Sequence, residues 1–284
     1  MSDFREHAVQ CLSPAGLHRM AYVEWGDPAN DRVLICAHGL ARVGRDFDAL
    51  ARALAAHYRV VCPDFAGRGR SDRLRDATHY QIPQYVADVV TLLARLDART
   101  VHWVGTSMGG LIGMALSALP ETPVSRLVMN DVGPVLKAAA LQRIGEYLGA
   151  DPRFPDFDTA LAYIRAISAP FGLSSDAQWR RLAENSVVAD GGGYRLHYDP
   201  AIAVPFRTQA TGPDVDLWPV YDAIRCPTLV LRGETSDLLD RATLAAMAGR
   251  GPRAAVVEIA GVGHAPMFMD DAQIDVVRRF LLNP

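Results

Sequence analysis

The order of apolar and polar positions along the chain predicts alternating strands and helices. Short runs of β-branched and apolar residues predict strands at residues 19–25, 33–37, 60–63, 101–105, 126–130, 228–232 and 255–259. Helical spacing of apolar residues between these runs predicts helices at residues 47–57, 85–96, 108–119, 243–247 and 274–282. Several strand runs are apolar without alternation, which is typical of strands covered on both faces of a parallel sheet. We therefore predict an α/β chain with helices on both faces of a mostly parallel sheet.

The alternation stops between about residue 133 and residue 222. Apolar residues there repeat at helical spacing within residues 141–148 and 157–164, and the glycine-rich segment 189–194 predicts a hairpin. We predict a core formed by residues 1–133 and 223–284, with a helical cap inserted at residues 134–222. We expect a minority of the insertion's aromatic side chains to face a pocket against the sheet, the candidates being Phe154, Phe157, Phe171, Trp179, Tyr194, Tyr198, Phe206 and Trp218.

Composition and charge narrow the class of protein. The 284 residues are 50% hydrophobic and 21% charged, which excludes a disordered chain. The net charge of −3 gives no global basic field that would attract nucleic acid or an anionic membrane, so we expect neither as a partner. We predict Arg68 and Arg70 to be surface charges and not a patch that binds nucleic acid. The uncharged run at residues 100–120 is long enough to span a bilayer, but its glycines and its serine predict a buried strand, turn and helix.

Other signals bear on location and cofactors. The four cysteines are isolated, which predicts reduced structural thiols and a cytoplasmic protein. The first residues are charged and contain no apolar segment, so no signal peptide is visible. The glycine-rich segment 67–72 lacks the third glycine of a dinucleotide fingerprint, and neither a phosphate-binding loop nor a His-Glu-x-x-His motif occurs. We therefore predict neither a cofactor nor a metal.

The strongest chemical signal is the segment Gly105-Thr106-Ser107-Met108-Gly109, between a predicted strand and a predicted helix. A sharp strand-to-helix turn strains the backbone of its central residue, and flanking glycines remove the Cβ clashes that would block it. The turn exposes the serine hydroxyl at the carboxyl edge of the sheet, beside a helix N-terminus that stabilises developing negative charge. We therefore predict Ser107 to be a catalytic nucleophile.

A serine nucleophile needs a base to take its proton, and a histidine base needs an acid to orient it. Of the eight histidines, His264 combines a glycine-rich loop with a position just after the last predicted strand. Asp237 follows the preceding predicted strand and gives the chain order serine, aspartate, histidine of hydrolases with this turn. We predict Asp237 to be the acid, with Asp131 as the competitor one strand earlier and Glu234 as a third candidate.

An acyl-transfer site also needs donors for the oxyanion of its tetrahedral intermediate. The segment His38-Gly39-Leu40 follows the strand predicted at residues 33–37, where such enzymes supply one backbone N–H group. We predict the backbone N–H groups of Leu40 and Met108 to form the oxyanion hole, with the His38 ring in a structural role. His102 lies in a predicted strand and is predicted to be a packed core histidine.

These segments together resemble the α/β-hydrolase superfamily, and the resemblance covers nearly the whole chain. It implies an α/β-hydrolase fold with an eight-stranded core and a helical cap inserted after the sixth strand, similar to bacterial esterase-like members. One departure is that Asp237 lies four residues past Gly233, where many relatives place the acid three residues past. The segments that carry the resemblance are His38-Gly39, residues 64–71, residues 105–109, residues 130–134, residues 232–239 and Gly263-His264.

We predict a serine hydrolase of the carboxylesterase type, which acts on a small-molecule ester with apolar groups through an acyl-enzyme on Ser107. Leu238, Met267 and Phe268 lie near the motifs and are predicted to line the substrate pocket. A lactonase, thioesterase, perhydrolase or carbon–carbon bond hydrolase would use the same triad. A ligand-binding protein without catalysis, on the same fold, is the alternative from another class. Ser107 at the nucleophile position counts against a haloalkane dehalogenase or an epoxide hydrolase, since these two families use an aspartate nucleophile.

Overall fold

Strands and helices alternate along the chain in a computed structural model, which describes residues 4–210 and 212–283. The strands are β1 Phe4–Ser13, β2 Gly16–Trp25, β3 Val33–Ala37, β4 Arg59–Pro63, β5 Val101–Thr106, β6 Val124–Asn130, β7 Val135–Leu136, β8 Arg153–Phe154, β9 Val187–Asp190, β10 Gly193–Leu196, β11 Val215–Asp216, β12 Thr228–Gly233 and β13 Ala255–Ile259. The helices are α1 Asp48–Leu54, α2 Ile82–Leu96, α3 Met108–Ser117, α4 Ala138–Tyr147, α5 Phe157–Ile167, α6 Asp176–Ser186, α7 Ala203–Ala210, α8 Trp218–Ala223, α9 Arg241–Gly249 and α10 Asp271–Leu282.

Eight strands form one sheet in the order β1-β2-β4-β3-β5-β6-β12-β13. Strand β2 pairs antiparallel with β1 and β4, whereas the pairs from β4 through β13 are parallel. Every residue of β3 and of β12 is buried, as their uninterrupted apolar runs predict. The predicted eight-stranded, mostly parallel α/β sheet is therefore confirmed.

Both faces of the sheet are covered by helices. Alternate residues of β3 enter two different apolar clusters, Val33 and Ile35 on one face and Leu34 and Cys36 on the other. The first cluster contains buried residues of α2 and α3, and the second contains buried residues of α1 and α10. The uncharged run at residues 100–120 forms β5 and α3 within this core, and no helix among the described residues has the length and apolar character to cross a membrane.

Strand β1 is absent from the predicted strands because half of its ten residues are polar. It lies at the edge of the sheet, where several of its positions face solvent, so the apolar pattern of an inner strand is not required. Its register against β2 places Arg5 opposite Glu24, and the two side chains form an ion pair of 3.1 Å. A cross-strand charge pair thus replaces part of the apolar packing that marks the inner strands.

The chain leaves the sheet after β6 and returns at β12, which is the neighbour of β6 in the sheet. The intervening residues form α4 to α8 and two small sheets, one of order β8-β10-β9 and one pairing β7 with β11. The hairpin predicted at residues 189–194 is the β9–β10 pair, whose turn residues Gly191 and Gly192 have φ of 57° and 90°. The division into a core and a cap at residues 134–222 stays a prediction.

Candidate active site

Ser107 lies in the sharp turn between β5 and α3. Its φ of 52° and ψ of −115° are strained for a residue with a side chain, as the sequence predicts for this turn. A Cβ on Gly105 would lie 2.2 Å from the Gly109 carbonyl oxygen, and a Cβ on Gly109 would lie 2.0 Å from the Ala37 carbonyl oxygen. Both glycines are therefore required for α3 to pack closely behind the serine.

His264 connects Ser107 to a carboxylate. Its Nε2 atom lies 3.0 Å from Ser107 Oγ, and its Nδ1 atom lies 2.7 Å from Asp131 Oδ2. In this arrangement the carboxylate accepts from Nδ1–H, which leaves Nε2 free to accept the serine proton. The geometry is that of a nucleophile, a base and an orienting acid held within hydrogen-bond distance.

Asp131 directly follows β6 and is fully buried, with an exposed fraction of 0%. Besides His264, its carboxylate accepts hydrogen bonds from the backbone N–H of Gly233 at 2.8 Å and the hydroxyl of Ser236 at 2.6 Å. Its backbone N–H donates to the Leu231 carbonyl at 2.8 Å, which fixes the residue against β12. A buried carboxylate with three donors is held in one orientation and is compensated for its loss of water.

The prediction that Asp237 pairs with His264 is wrong, because the carboxylate beside His264 Nδ1 is that of Asp131. The Asp237 side chain is 51% exposed, and both of its carboxylate oxygens lie 2.8 Å from Nη2 of Arg143 on α4. The loop after β12 turns Ser236 inward and Asp237 outward, so that this loop supports the acid through a hydroxyl. Glu234, the third candidate, is also exposed and accepts from the backbone N–H of Gly261.

Leu40 and Met108, the predicted oxyanion donors, both border the cavity that contains Ser107 and His264. Met108 is the first residue of α3, where backbone N–H groups lack partners within the helix. Gly39 lies beside the nucleophile, since a Cβ built on it would be 3.8 Å from Ser107 Cβ. The role of the two N–H groups stays a prediction.

Arg68 is a buried residue, so its prediction as a surface charge is wrong. Its exposed fraction is 1%, and its Nε donates to the Leu40 carbonyl at 2.8 Å. Its Nη1 donates to the Ala66 carbonyl and to the Tyr85 hydroxyl, both at 2.7 Å, and its Nη2 lies 3.7 Å from Met108 Sδ. The guanidinium thus contacts both residues predicted to hold the oxyanion. Arg70 remains partly exposed and pairs with Glu6.

His38 has the structural role that the sequence predicts. Its Nδ1–H donates to the Gly39 carbonyl at 2.7 Å, and its Nε2 accepts from the Phe65 backbone N–H at 3.0 Å. Burial lowers the pKa of His38 from 6.5 to about 3, so the ring is neutral at physiological pH. A neutral ring with one donor and one acceptor ties the loop before Leu40 to the loop after β4.

A cavity of about 590 Å³ opens in front of Ser107. The three predicted pocket residues, Leu238, Met267 and Phe268, all border it. Of the aromatic residues named as candidates in the insertion, a minority reach it, as expected, namely Phe171, Tyr198 and Phe206. The lining is mostly apolar, which suits a substrate with apolar groups.

A buried group of possible metal ligands lies apart from this cavity. The ligand atoms of Cys11, His18 and Asp88 are within 4.8 Å of one another, and none of the three residues borders the cavity. His18 Nε2 already lies 3.0 Å from Asp88 Oδ2. Burial and the nearby Asp88 raise the pKa of the Cys11 thiol to about 12, which disfavours the thiolate that a metal would need. These contacts describe a buried hydrogen-bonded group.

Sequence reasoning missed two further residues of the site, Ser236 and Asn130. Asn130 is fully buried, and its Nδ2 donates to Thr106 Oγ1 at 2.9 Å and to the Pro266 carbonyl at 2.8 Å. It thereby joins the strand before the nucleophile to the loop that carries His264. A polar residue at the end of an otherwise apolar strand was the available signal for Asn130, whereas Ser236 had none.

Comparison with known proteins places this geometry in a family. The model of the Alpha/beta hydrolase family matches residues 34–279. A 3-hydroxybutyrate-oligomer hydrolase of Cupriavidus necator is 55% identical over 282 residues, which cover 96% of each chain. A putative hydrolase of Rickettsia typhi (33% identity, TM-score 0.91) and an alpha/beta hydrolase of Novosphingobium aromaticivorans (36% identity, TM-score 0.88) have similar structures, each match covering 99% of both chains. The chain belongs to the alpha/beta hydrolase family.

Proposed function

We propose that this protein is a serine hydrolase that cleaves carboxylic ester bonds, with Ser107 as nucleophile, His264 as base and Asp131 as acid. The observation that carries the proposal is the position of His264, 3.0 Å from Ser107 Oγ and 2.7 Å from Asp131 Oδ2. These distances match the hydrogen bonds through which a histidine takes a serine proton while a carboxylate stabilises the resulting imidazolium. Residence in the cytoplasm stays a prediction from the cysteine pattern.

The reaction follows from the positions of these groups. Ser107 Oγ attacks the ester carbonyl carbon while its proton passes to His264 Nε2, and the oxyanion accepts from the backbone N–H groups of Leu40 and Met108. The carbon–oxygen bond to the alcohol then breaks, and His264 gives its proton to the departing oxygen. Water, deprotonated by His264, then attacks the acyl carbon. The bond from this carbon to Ser107 Oγ breaks, and His264 returns the proton to Ser107 Oγ as the acid leaves.

We further propose that the substrates are short oligomers of 3-hydroxybutyrate or related hydroxyalkanoates. The relative from Cupriavidus necator, 55% identical across 96% of both chains, is named 3-hydroxybutyrate-oligomer hydrolase. Each unit of the oligomer carries a methyl group beside an ester, and the cavity of about 590 Å³ offers a mostly apolar lining to such a chain.

The test compares the protein with its Ser107→Ala variant on two substrate sets, purified 3-hydroxybutyrate trimer and a series of p-nitrophenyl esters. We expect the unmodified protein to release 3-hydroxybutyrate and the variant to retain its thermal unfolding midpoint while losing turnover. Turnover of p-nitrophenyl esters alone would support the esterase and overturn the oligomer substrate. Absence of turnover on both sets would overturn the proposal in favour of a carbon–carbon bond hydrolase or a non-catalytic binding protein.

A further inference from the structure

Two arginines border the cavity in front of Ser107, and they differ in how their donors are used. Each nitrogen of Arg42 has a protein partner, because Nε and Nη2 donate to Asp46 at 2.7 and 2.8 Å and Nη1 donates to Ser186 Oγ at 2.7 Å. Its charge is already paired with the buried Asp46 carboxylate, so Arg42 is engaged within the protein through all three nitrogens.

Arg143 of α4 is incompletely satisfied. Its Nη2 contacts both carboxylate oxygens of Asp237 at 2.8 Å, while its Nε is buried and has no hydrogen-bond partner among the described residues. A buried donor without a partner is costly, which makes it a position where a ligand oxygen would be favourable. Asp237 borders the same cavity, so the pair lies at the boundary between α4 and the loop after β12.

The ion pair can open at small cost. The side chains of Arg143 and Asp237 are 41% and 51% exposed, and an exposed pair in water contributes little to stability. A carboxylate that arrives with a substrate therefore competes for Arg143 with a carboxylate that solvent can stabilise instead. The planar guanidinium suits such an exchange, because it binds carboxylates through two parallel hydrogen bonds.

We propose that Arg143 binds the terminal carboxylate of an anionic ester substrate, with Asp237 as its counterion when the cavity is empty. The inference rests on the proposed function, since a 3-hydroxybutyrate oligomer carries one ionised carboxylate at the end of an otherwise uncharged chain. The apolar lining receives the ester units, and Arg143 selects the charged end and fixes which ester bond lies at Ser107. Arg143 acts here as a specificity-determining residue of the substrate site.

The experiment measures kcat/KM for the 3-hydroxybutyrate trimer as the free acid and as its methyl ester, following cleavage of the internal ester bonds by chromatography. The ratio of the two values, taken on one preparation, is independent of the fraction of folded enzyme. We expect the unmodified protein to prefer the acid and Arg143→Gln to lower the ratio about 10- to 100-fold, as for the loss of a hydrogen bond to a charged group. Arg143→Lys, which keeps the positive charge but not the planar pair of N–H donors, should give an intermediate ratio.

Two variants act as controls. Arg250→Gln removes an exposed arginine that pairs with Asp222 and does not border the cavity, so it should leave the ratio unchanged. Asp237→Asn removes the competing carboxylate and should keep the ratio at or above that of the unmodified protein. A ratio unchanged in Arg143→Gln, or lowered equally in Asp237→Asn, would overturn the inference while leaving the ester hydrolase intact. Cleavage of neither trimer by the unmodified protein would instead overturn the proposed oligomer substrate, on which this inference rests.

Discussion

Asp131 and His264 are 133 positions apart in the chain, yet Asp131 Oδ2 lies 2.7 Å from His264 Nδ1. The carboxylate reaches the ring from the end of β6, with Gly233 and Ser236 of the neighbouring β12 region as its other donors. The acid is thus held by two adjacent strands and is fully buried. This pairing distinguishes Asp131 from the half-exposed Asp237 and is the basis of the first prediction.

Replacing Asp131 should slow the reaction far more than replacing Asp237. Asp131→Asn exchanges the acceptor facing Nδ1–H for an amide, which favours the wrong tautomer of His264; by analogy with serine proteases we expect kcat to fall about 10⁴-fold. Asp237→Asn should leave kcat within about twofold, because an exposed ion pair contributes little. Steady-state rates on one p-nitrophenyl ester measure both variants. Equal losses in the two would contradict the assignment of the acid.

Arg68 should affect the rate through Leu40. Arg68→Met removes the donors to the Leu40 and Ala66 carbonyls and to the Tyr85 hydroxyl, so the loop that presents the predicted oxyanion donor loses an anchor. We expect kcat to fall about 10-fold with KM little changed, less than the loss of a donor itself, which costs about 10²–10³. Arg70→Gln, at the partly exposed neighbour, is the control and should keep kcat.

A lower kcat at unchanged KM, in a variant that remains fully folded, distinguishes a role of Arg68 in positioning the oxyanion donor from a general loss of folded protein. Arg68→Lys retains the charge and an ammonium group that can donate to the Leu40 carbonyl, and it should recover part of kcat. If Arg68→Met instead changed only the thermal unfolding midpoint, at unchanged kcat, Arg68 would have a structural role alone.

Gly109 should tolerate no side chain. In Gly109→Ala the new Cβ would lie 2.0 Å from the Ala37 carbonyl oxygen, so α3 and β3 must separate. We expect the free energy of unfolding to fall by about 2–3 kcal/mol or more, as for overpacking of a rigid core. Gly249→Ala, where a Cβ would meet no atom within 4 Å, is the matched control near the end of α9 and should be neutral or slightly stabilising. Urea denaturation of the two variants gives both values, and equal losses would contradict this packing.

Acid should destabilise the protein through histidines that the fold keeps neutral, one of which is the partly buried His102 of β5. Burial and the nearby Arg126 and Arg32 lower the pKa of His102 from 6.5 to about 4. Because the unfolded ring takes a proton first, the stability contributed by neutral His102 is complete above about pH 6.5 and is lost as the pH falls toward about 4. His102 Nδ1–H donates to the Tyr58 hydroxyl, which in turn donates to the Leu281 carbonyl.

His102→Gln removes this titration and keeps a donor for Tyr58. We expect its free energy of unfolding to fall less steeply between pH 6.5 and 4, with about one proton fewer taken up on unfolding. Urea denaturation at several pH values measures the slope. An identical slope in the variant and the unmodified protein would contradict the assignment, whereas the contribution of His38, whose pKa is about 3, should persist in both.

The sequence predicted the fold well because its signals are local. Uninterrupted apolar runs identify β3 and β12 as inner strands, and a glycine-flanked serine identifies the turn at Ser107, whose φ is 52°. The edge strand β1 was missed because a half-exposed strand with charged residues carries no such run. The local pattern of residues therefore predicts the inner strands and the turn at Ser107.

The identity of the acid could not be read from local pattern. Asp131 and Asp237 both follow parallel strands, and these strands, β6 and β12, are neighbours whose carboxyl ends meet at one edge of the sheet. The choice depends on which way each side chain turns: Asp131 adopts φ of 54° and faces His264, whereas the loop after β12 sends Ser236 inward. Arg68 was misjudged for a related reason, since two of its acceptors, the Leu40 carbonyl and the Tyr85 hydroxyl, are distant in the chain.

The most direct test of the central claim is to trap the acyl group on Ser107. Mixing the protein with excess p-nitrophenyl butyrate, quenching with acid within milliseconds and analysing the peptides by mass spectrometry should show one butyryl group on the peptide that contains Ser107, accompanied by a burst of p-nitrophenol. The Ser107→Ala variant should show neither the group nor the burst. A butyryl group on any other residue, or turnover that persists in Ser107→Ala, would contradict the account.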